Sequence, residues 1–411
     1  MKIAIVGAGA AGLMCACMLS TQHDVSVFEK NADAGKKLLL TGKGRCNLTN
    51  LVNPYEFMDN VPRNSKFLLS SLRMFSPKDT VKFFEELGVP THTEDNNRVF
   101  PSIGKATAIK ITMQGFAQSR GVKFLFENNI TGIDKTQVGF TVTVNGKHEF
   151  FDAVVIATGG LSFPVTGSTG DGLVFAGKLR HNIIPTRSSL CGLKLARPTD
   201  LQGMSTVCEV QVLDKDSAQI TNKAVGNMLF TKTGVSGPVI YETVAKFTPQ
   251  SICGHSLKIN FAPDLSQMQL EETLQKLLAE HQKKKLIHVV RHFMPLSVAD
   301  WVIKTAGLNG SKLSGQITKT ERNILFSFVR GTRVVITDFE DIAHATITRG
   351  GIDVHEVDPK TMQSKLIPNL FFIGEVLDVD ALSGGFNLQI AFSTAVACAR
   401  ALEAETFVAR K

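Results

Sequence analysis

Six residues, Gly7-Ala8-Gly9-Ala10-Ala11-Gly12, constrain this chain more than any others, because of what flanks them. Lys2 to Val6 reads as a short buried strand, residues 11–20 as a helix rich in Ala, Leu and Met, and Val25-Ser26-Val27-Phe28-Glu29 as a second strand ending in an acid. In a G-x-G-x-x-G turn the first glycine permits the tight bend. The second lets the backbone approach a pyrophosphate, and the third lets the helix pack on the strand. The helix start then offers free N–H groups and a positive dipole end to the phosphates. Glu29, seventeen residues past Gly12, is placed to accept both ribose hydroxyls of an adenosine. The spacing alone is a weak signal, but strand, turn, helix, strand and acid in order make a strong one. Gly7, Gly9, Ala10, Ala11, Gly12, Glu29 and the adjoining Lys30 are therefore expected to hold a dinucleotide, either FAD or NAD.

The same glycines decide how the N-terminus is read. Met1-Lys2 followed by an apolar run to Leu19 has the outline of a secretory signal, yet such a signal explains neither the glycine spacing nor Glu29. No other stretch reaches the roughly 20 apolar residues that span a bilayer. Seven cysteines, an odd number without a C-x-x-C pair, argue against a disulfide framework and against a metal site, and point to a reducing cytoplasm. At 411 residues the chain is long enough for two or three domains. Its net charge of +8 is uneven: residues 265–335 carry eleven Lys and Arg against five Asp and Glu. A local excess of this kind can steer phosphate-rich partners, although a solvated helix face has the same composition.

Three further segments favour FAD. The first is Thr41-Gly42-Lys43-Gly44-Arg45-Cys46-Asn47-Leu48-Thr49-Asn50, preceded by Gly35-Lys36-Lys37. It is not a P-loop, since Gly44 stands where Ser or Thr is required. A glycine-rich loop with Lys37, Thr41, Arg45 and Asn47 can still hold a pyrophosphate and a flavin edge. The second is a buried strand, Ala153 to Ala157, running into Thr158-Gly159-Gly160, with a helix expected to open at Asp171. The third is the strand Leu370 to Ile373 ending in Gly374-Glu375, followed by Asp378, Asp380 and Ser383-Gly384-Gly385-Phe386-Asn387-Leu388-Gln389, which opens a last helix near 387–404. In FAD folds with two dinucleotide motifs such a carboxylate holds the ribityl chain. The helix start faces the ring where negative charge develops on reduction. Asp380, Gly385, Asn387, Leu388 and Gln389 join the candidate cofactor set on that ground.

The run Thr41–Asn50, the run Phe230-Thr231-Lys232-Thr233-Gly234-Val235-Ser236-Gly237-Pro238, and the stretch from Thr348-Arg349-Gly350-Gly351 to Gln389 together resemble the BaiN/RdsA-type flavoproteins, the aminoacetone-oxidase-like FAD-binding enzymes, over nearly the whole chain. The resemblance implies an α/β fold: a Rossmann-like, two-dinucleotide-motif FAD domain with an inserted β-rich domain and a small helical domain. The expected bounds are 1–188 and 344–411 for the FAD domain, 189–262 plus about 308–343 for the β-rich domain, and 263–307 for the helical one. Alternating apolar segments at Cys208–Leu213 and Ser256–Phe261 read as strands, and 268–292 and 296–307 as helices. No second strand-plus-G-x-G-x-x-G unit exists, so NADH or NADPH would dock only transiently as reductant.

The resemblance leaves two main readings of the substrate. One branch of the family reduces a uridine C5=C6 bond in large-subunit ribosomal RNA to dihydrouridine, and the basic segment fits it. Lys283, Lys284, Lys285 and Arg291 would then contact phosphates, with Arg98 a further substrate contact. Other branches imply a small-molecule ene-reductase or amine oxidase; a third class is an FAD-binding redox sensor without catalysis. Cys46, in the flavin-proximal loop, is the candidate proton donor, and a small buried packing residue is the other reading of it. Cys191, Cys208, Cys253 and Cys398 read as core.

Overall fold

The computed structural model describes residues 1–408 apart from Ser20 and Lys246. The chain divides into two compact units, Met1–Ser189 with Ile342–Lys411, and Leu190–Asp341.

The first unit is built on five strands: β1 (Lys2–Val6), β2 (Asp24–Glu29), β3 (Lys123–Phe126), β4 (Ala153–Ile156) and β5 (Leu370–Phe372), in the order β5-β4-β1-β2-β3. All four pairings are parallel. β1 and β4 are apolar along their length and fully buried at Ile3, Ala4, Ile5, Val154 and Val155, as strands covered on both faces must be. β5 comes from the far end of the sequence and pairs Leu370 with Val154, so both ends of the chain share one sheet. Helix α1 (Ala10–Met18) packs against α2 (Phe386–Val408). α2 buries Ile390, Phe392, Ala395, Val396, Cys398 and Leu402, and an apolar surface all round marks a helix of the interior.

The second unit is a closed barrel of six strands, in the order Leu193–Leu195, Gly234–Ser236, Ala224–Phe230, Ser205–Leu213, Ser256–Asn260 and Thr332–Phe339. Closure comes from antiparallel pairing of Leu193–Leu195 with the last strand. Cys208, Val210 and Val212 alternate inward, which fixes the register of Ser205–Leu213 against its two neighbours. Helices Gln267–Glu280, Leu286–Val290, Leu296–Thr305 and Lys319–Gly331 lie in sequence between the last two strands.

Three expectations need correction here. The helix expected over 268–292 is two helices, and Lys283-Lys284-Lys285 forms the break between them. The main chain of this run pairs elsewhere: the Lys284 carbonyl accepts from Ser314 N at 2.9 Å, and Lys285 bridges Leu313. The stretch 308–343 is not all strand, because Lys319–Gly331 is a helix started by a capping box in which Thr318 and Glu321 satisfy each other's backbone N–H groups. Cys253, expected in the core, is exposed.

Candidate active site

The glycine turn has the geometry its spacing implies. Gly7 lies at φ +106°, and a Cβ on Gly12 would fall 1.9 Å from the Gly7 carbonyl oxygen, so α1 sits on the turn as closely as backbones can. Gly9 differs: a Cβ there would meet nothing within 4 Å. It is the N-cap of α1 and no side chain caps it, so the first-turn N–H groups face open space. Glu29 is buried at the end of β2, where one oxygen accepts from Ala8 N at 3.0 Å and the other from Asn31 N at 2.9 Å. This carboxylate is therefore held rigidly beside the same open space.

Residues far apart in sequence converge on this turn. A Cβ on Gly374, at φ +73°, would sit 2.8 Å from the Ala11 side chain, so the C-terminal Gly-acid segment lies against the α1 start. Glu375 accepts from Lys37 Nζ at 2.7 and 2.9 Å, from Ser162 Oγ at 2.9 Å and from Thr348 N at 2.8 Å. Gly160 faces Thr348, whose hydroxyl would be 2.3 Å from an added Cβ. Lys30 reaches across to Asp171 at 2.7 Å and to the Thr169 hydroxyl. Thr158 and Gly159 close the turn after β4, with the Ser168 hydroxyl 3.1 Å from where a Cβ on Gly159 would lie.

The Thr41–Asn50 loop runs through left-handed backbone at Gly42, Lys43, Gly44 and Cys46, and the Thr41 hydroxyl anchors it by donating to the Leu38 carbonyl at 2.7 Å. Asn47 Oδ1 is buried and has no hydrogen-bond partner. A Cβ on Gly385 would lie 2.9 Å from that same oxygen and 2.5 Å from the Thr49 backbone, so only glycine fits there. An orphaned buried acceptor is costly unless a ligand completes it. The uncapped helix start, the open face at Gly9, the fixed Glu29 carboxylate and the waiting acceptor of Asn47 fit the phosphates, ribose and ring N–H of FAD in turn.

Four candidate residues have other roles. Gln389 is fully buried and its amide is spent inside the unit: it accepts from Thr49 and Thr80 hydroxyls at 2.6 and 2.8 Å and donates to Phe75 O and Ser393 at 3.1 and 2.9 Å. With two donors and two acceptor sites occupied, it has nothing left for a cofactor. Asp380, 1% exposed, is held by Arg349 at 2.8 Å and by the Ser189 hydroxyl at 2.6 Å, which makes it half of a buried ion pair. Asn387 ties its own loop, exchanging bonds with Ala381 N and O at 3.0 and 2.8 Å, while Leu388 packs on the core. Cys46 is fully buried and burial pushes its thiol up to about 12. A proton so tightly held and enclosed is poorly suited to donation near neutral pH, and the packing role is the one its surroundings support. Cys46→Ala is expected to keep turnover within about twofold of wild type while losing roughly 1 kcal/mol of stability, checked by steady-state rates and thermal melts. A rate loss of a hundredfold would restore the thiol to the mechanism.

Arg45 and Arg98 meet on one exposed feature. Arg45 Nη1 donates to Glu94 at 2.6 Å, Arg98 lies 3.6 Å from the same carboxylate, and both guanidiniums face the Phe100 ring, at 4.2 and 5.9 Å. Arg45 first, then His92 and Arg98, hold the Glu94 carboxyl below its usual range. Glu94 and Phe100 carry no sequence motif; only strand pairing of Thr91–Glu94 with Arg98–Pro101 brings them together. Lys283, Lys284, Lys285 and Arg291 are exposed in the second unit. No helix among the described residues is long and apolar enough to cross a membrane.

Residues 1–401 match the family described as "HI0933-like protein Rossmann domain". The chain is 30% identical over 402 residues to the ribosomal RNA dihydrouridine synthase of Escherichia coli K12, covering 97% of each chain. It is 24% identical over 408 residues to the 3-dehydro-bile acid delta(4,6)-reductase of Clostridium scindens, covering 97% of this chain and 98% of that one. Among solved structures, a 3-ketosteroid delta1-dehydrogenase from Sterolibacterium denitrificans shares the fold, with a TM-score of 0.53 at 11% identity over 98% of this chain and 99% of the other.

Proposed function

Because the chain belongs to the HI0933-like Rossmann family and is an FAD-dependent oxidoreductase, we propose that it reduces a uridine C5=C6 bond in large-subunit ribosomal RNA to dihydrouridine, in the cytoplasm, with NADH or NADPH as reductant. The observation that carries this reading is the end-to-end likeness to the Escherichia coli synthase, 97% of both chains at 30% identity. Reduction places a hydride on C6 and a proton on C5; bound FAD supplies the hydride and the nicotinamide cofactor restores it. The α1 start and Glu29 hold the nucleotide half of FAD, Lys37 and Glu375 flank its middle, and Asn47 completes the ring edge. The target base must leave its stack to be reduced. Arg45 and Arg98 beside Phe100 suit a phosphate and a base that has been splayed out, and Lys283, Lys284, Lys285 and Arg291 suit backbone phosphates elsewhere on the substrate.

The test is dihydrouridine content of large-subunit rRNA, by nucleoside mass spectrometry, from cells with and without the gene. Deletion is expected to remove one dihydrouridine and the intact gene to restore it. Unchanged content would sink the RNA reading. The likeness to the bile acid reductase, 98% of whose length is covered, favours a second reading, an ene-reductase on a conjugated ketone. In that case NAD(P)H consumption would respond to such ketones and not to rRNA.

A further inference from the structure

On the outer face of the barrel two cations stand directly opposite each other. Lys258 pairs in register with Arg333 across the antiparallel strands Ser256–Asn260 and Thr332–Phe339. Their inward neighbours Leu257 and Ile259 are fully buried, so Lys258 and Arg333 point away from the core. A third cation, Arg330, ends the helix Lys319–Gly331 that runs straight into the second of these strands. Like charges opposed across a strand pair lower stability. The strain registers at Lys258, whose ammonium lies below its ordinary range through partial burial first, then through Arg330, Lys223 and Arg333. Gly331 lets them crowd, since a Cβ there would strike the Lys258 side chain at 2.7 Å.

Nothing in the fold neutralises the cluster. Glu209, the one carboxylate among the described residues that acts on Lys258, is engaged by Lys223 at 3.1 Å. Arg333 donates to the neutral Ser217 hydroxyl at 2.8 Å, and Arg330 to the Gln267 amide oxygen. The three cations line a cleft of about 540 Å³, with Thr305 on its wall and Phe326 and Phe328 beside them. A cleft with converging cations, a hydroxyl donor and aromatic residues is what a nucleotide of a single-stranded segment requires: charge for the phosphate and apolar surface for the base.

Resting on the reading that ribosomal RNA is the substrate, we infer that the Lys258–Arg330–Arg333 cleft is a second RNA-binding site, which takes a backbone phosphate and its nucleotide away from the flavin. The repulsion among the cations is then the cost of holding a site ready for an anion, and the bound phosphate relieves it. This gives the site a signature that a structural cluster lacks: removing the charges weakens binding and leaves the protein equally or more stable.

The experiment uses the FAD-loaded full chain and a fluorescein-labelled single-stranded RNA read by anisotropy over a salt series. The triple variant Lys258→Gln/Arg330→Gln/Arg333→Gln is expected to bind at least tenfold more weakly. Its slope of log affinity against log salt should flatten by about 2, since each lost phosphate contact on a single strand removes roughly 0.7. Its flavin spectrum should be unchanged and its melting temperature at or above wild type. Arg333→Gln alone, at the most exposed of the three, is expected to show about a third of the slope change and guards against misfolding of the triple variant. Wild-type binding matched by both variants overturns this site and leaves the RNA reading standing. Absence of RNA binding by the wild type, with rRNA dihydrouridine unchanged on deletion of the gene, overturns both. Inorganic phosphate, tested at constant ionic strength, is the third arm. If it stabilises the wild type but not the variant while RNA affinity is equal in both, the cleft belongs to free phosphate and the inference fails.

Discussion

Gly9→Val is expected to give a folded protein that does not retain FAD. Gly9 has φ −77° and ψ −171°, an extended conformation that a β-branched residue adopts readily, and an added Cβ meets nothing within 4 Å. The fold loses only a good N-cap residue, about 1 kcal/mol. The side chain would, however, fill the space in front of the uncapped α1 N–H groups, where a pyrophosphate must come into contact with backbone. FAD affinity is expected to fall by about a thousandfold, roughly 4 kcal/mol, read as the loss of visible flavin absorbance in the purified protein and by titration with added FAD. The melting transition of the cofactor-free forms should stay within a few degrees of each other. Gly12→Val is the contrasting case: its Cβ would be 1.9 Å from the Gly7 oxygen, and the variant is expected not to fold at all. A Gly9→Val protein that stays fully yellow would mean that the phosphates lie somewhere other than at this turn.

Arg349→Met is expected to destabilise the protein by about 3–5 kcal/mol, the penalty for leaving one member of a buried ion pair without its partner. Arg349 and Asp380 are 5% and 1% exposed, and Nη2 lies 2.8 Å from the carboxylate. Methionine matches much of the aliphatic stem of arginine and leaves Asp380 with the Ser189 hydroxyl alone at 2.6 Å. The double variant Arg349→Met/Asp380→Leu removes both charges and is expected to recover most of the loss, because the damage is an uncompensated charge and not a missing attraction. Urea denaturation midpoints of the FAD-loaded proteins check both statements. A single-variant loss below about 1 kcal/mol would show that water reaches the carboxylate.

These two cases mark what could be read in advance. Gly7, Gly9, Gly12 and Glu29 announce their roles because the constraints are local. A turn needing positive φ, a helix start and an acid at a strand end are properties of short stretches, and their order along the chain is enough. The meeting of the two chain ends was legible for a similar reason, since Gly374-Glu375 repeats the strand-then-acid pattern of Phe28-Glu29. Asp380, Gln389 and Asn387 sit in an equally suggestive glycine-rich stretch and yet serve the protein itself. Their partners, Arg349, Thr49, Thr80 and, for Asn387, the Ala381 backbone, are fixed by packing that no spacing rule describes. The lysine triplet shows the same limit. Its residues continue a helical pattern, but the main chain is drawn into pairing with Leu313 and Ser314, and tertiary pairing overrode propensity.

By itself the sequence determined the α/β class, the parallel strand run, the phosphate turn and the presence of a basic insert, because periodicity, glycine spacing and charge count act over a few residues at a time. Tertiary structure decided the rest. It closed six strands into a barrel, buried Cys46 until its thiol ceased to be a useful acid, stacked Arg45 and Arg98 on Phe100, and set Lys258 against Arg333. Each of these depends on which distant side chain arrives within a few ångströms, and electrostatic and desolvation energies change steeply over that distance.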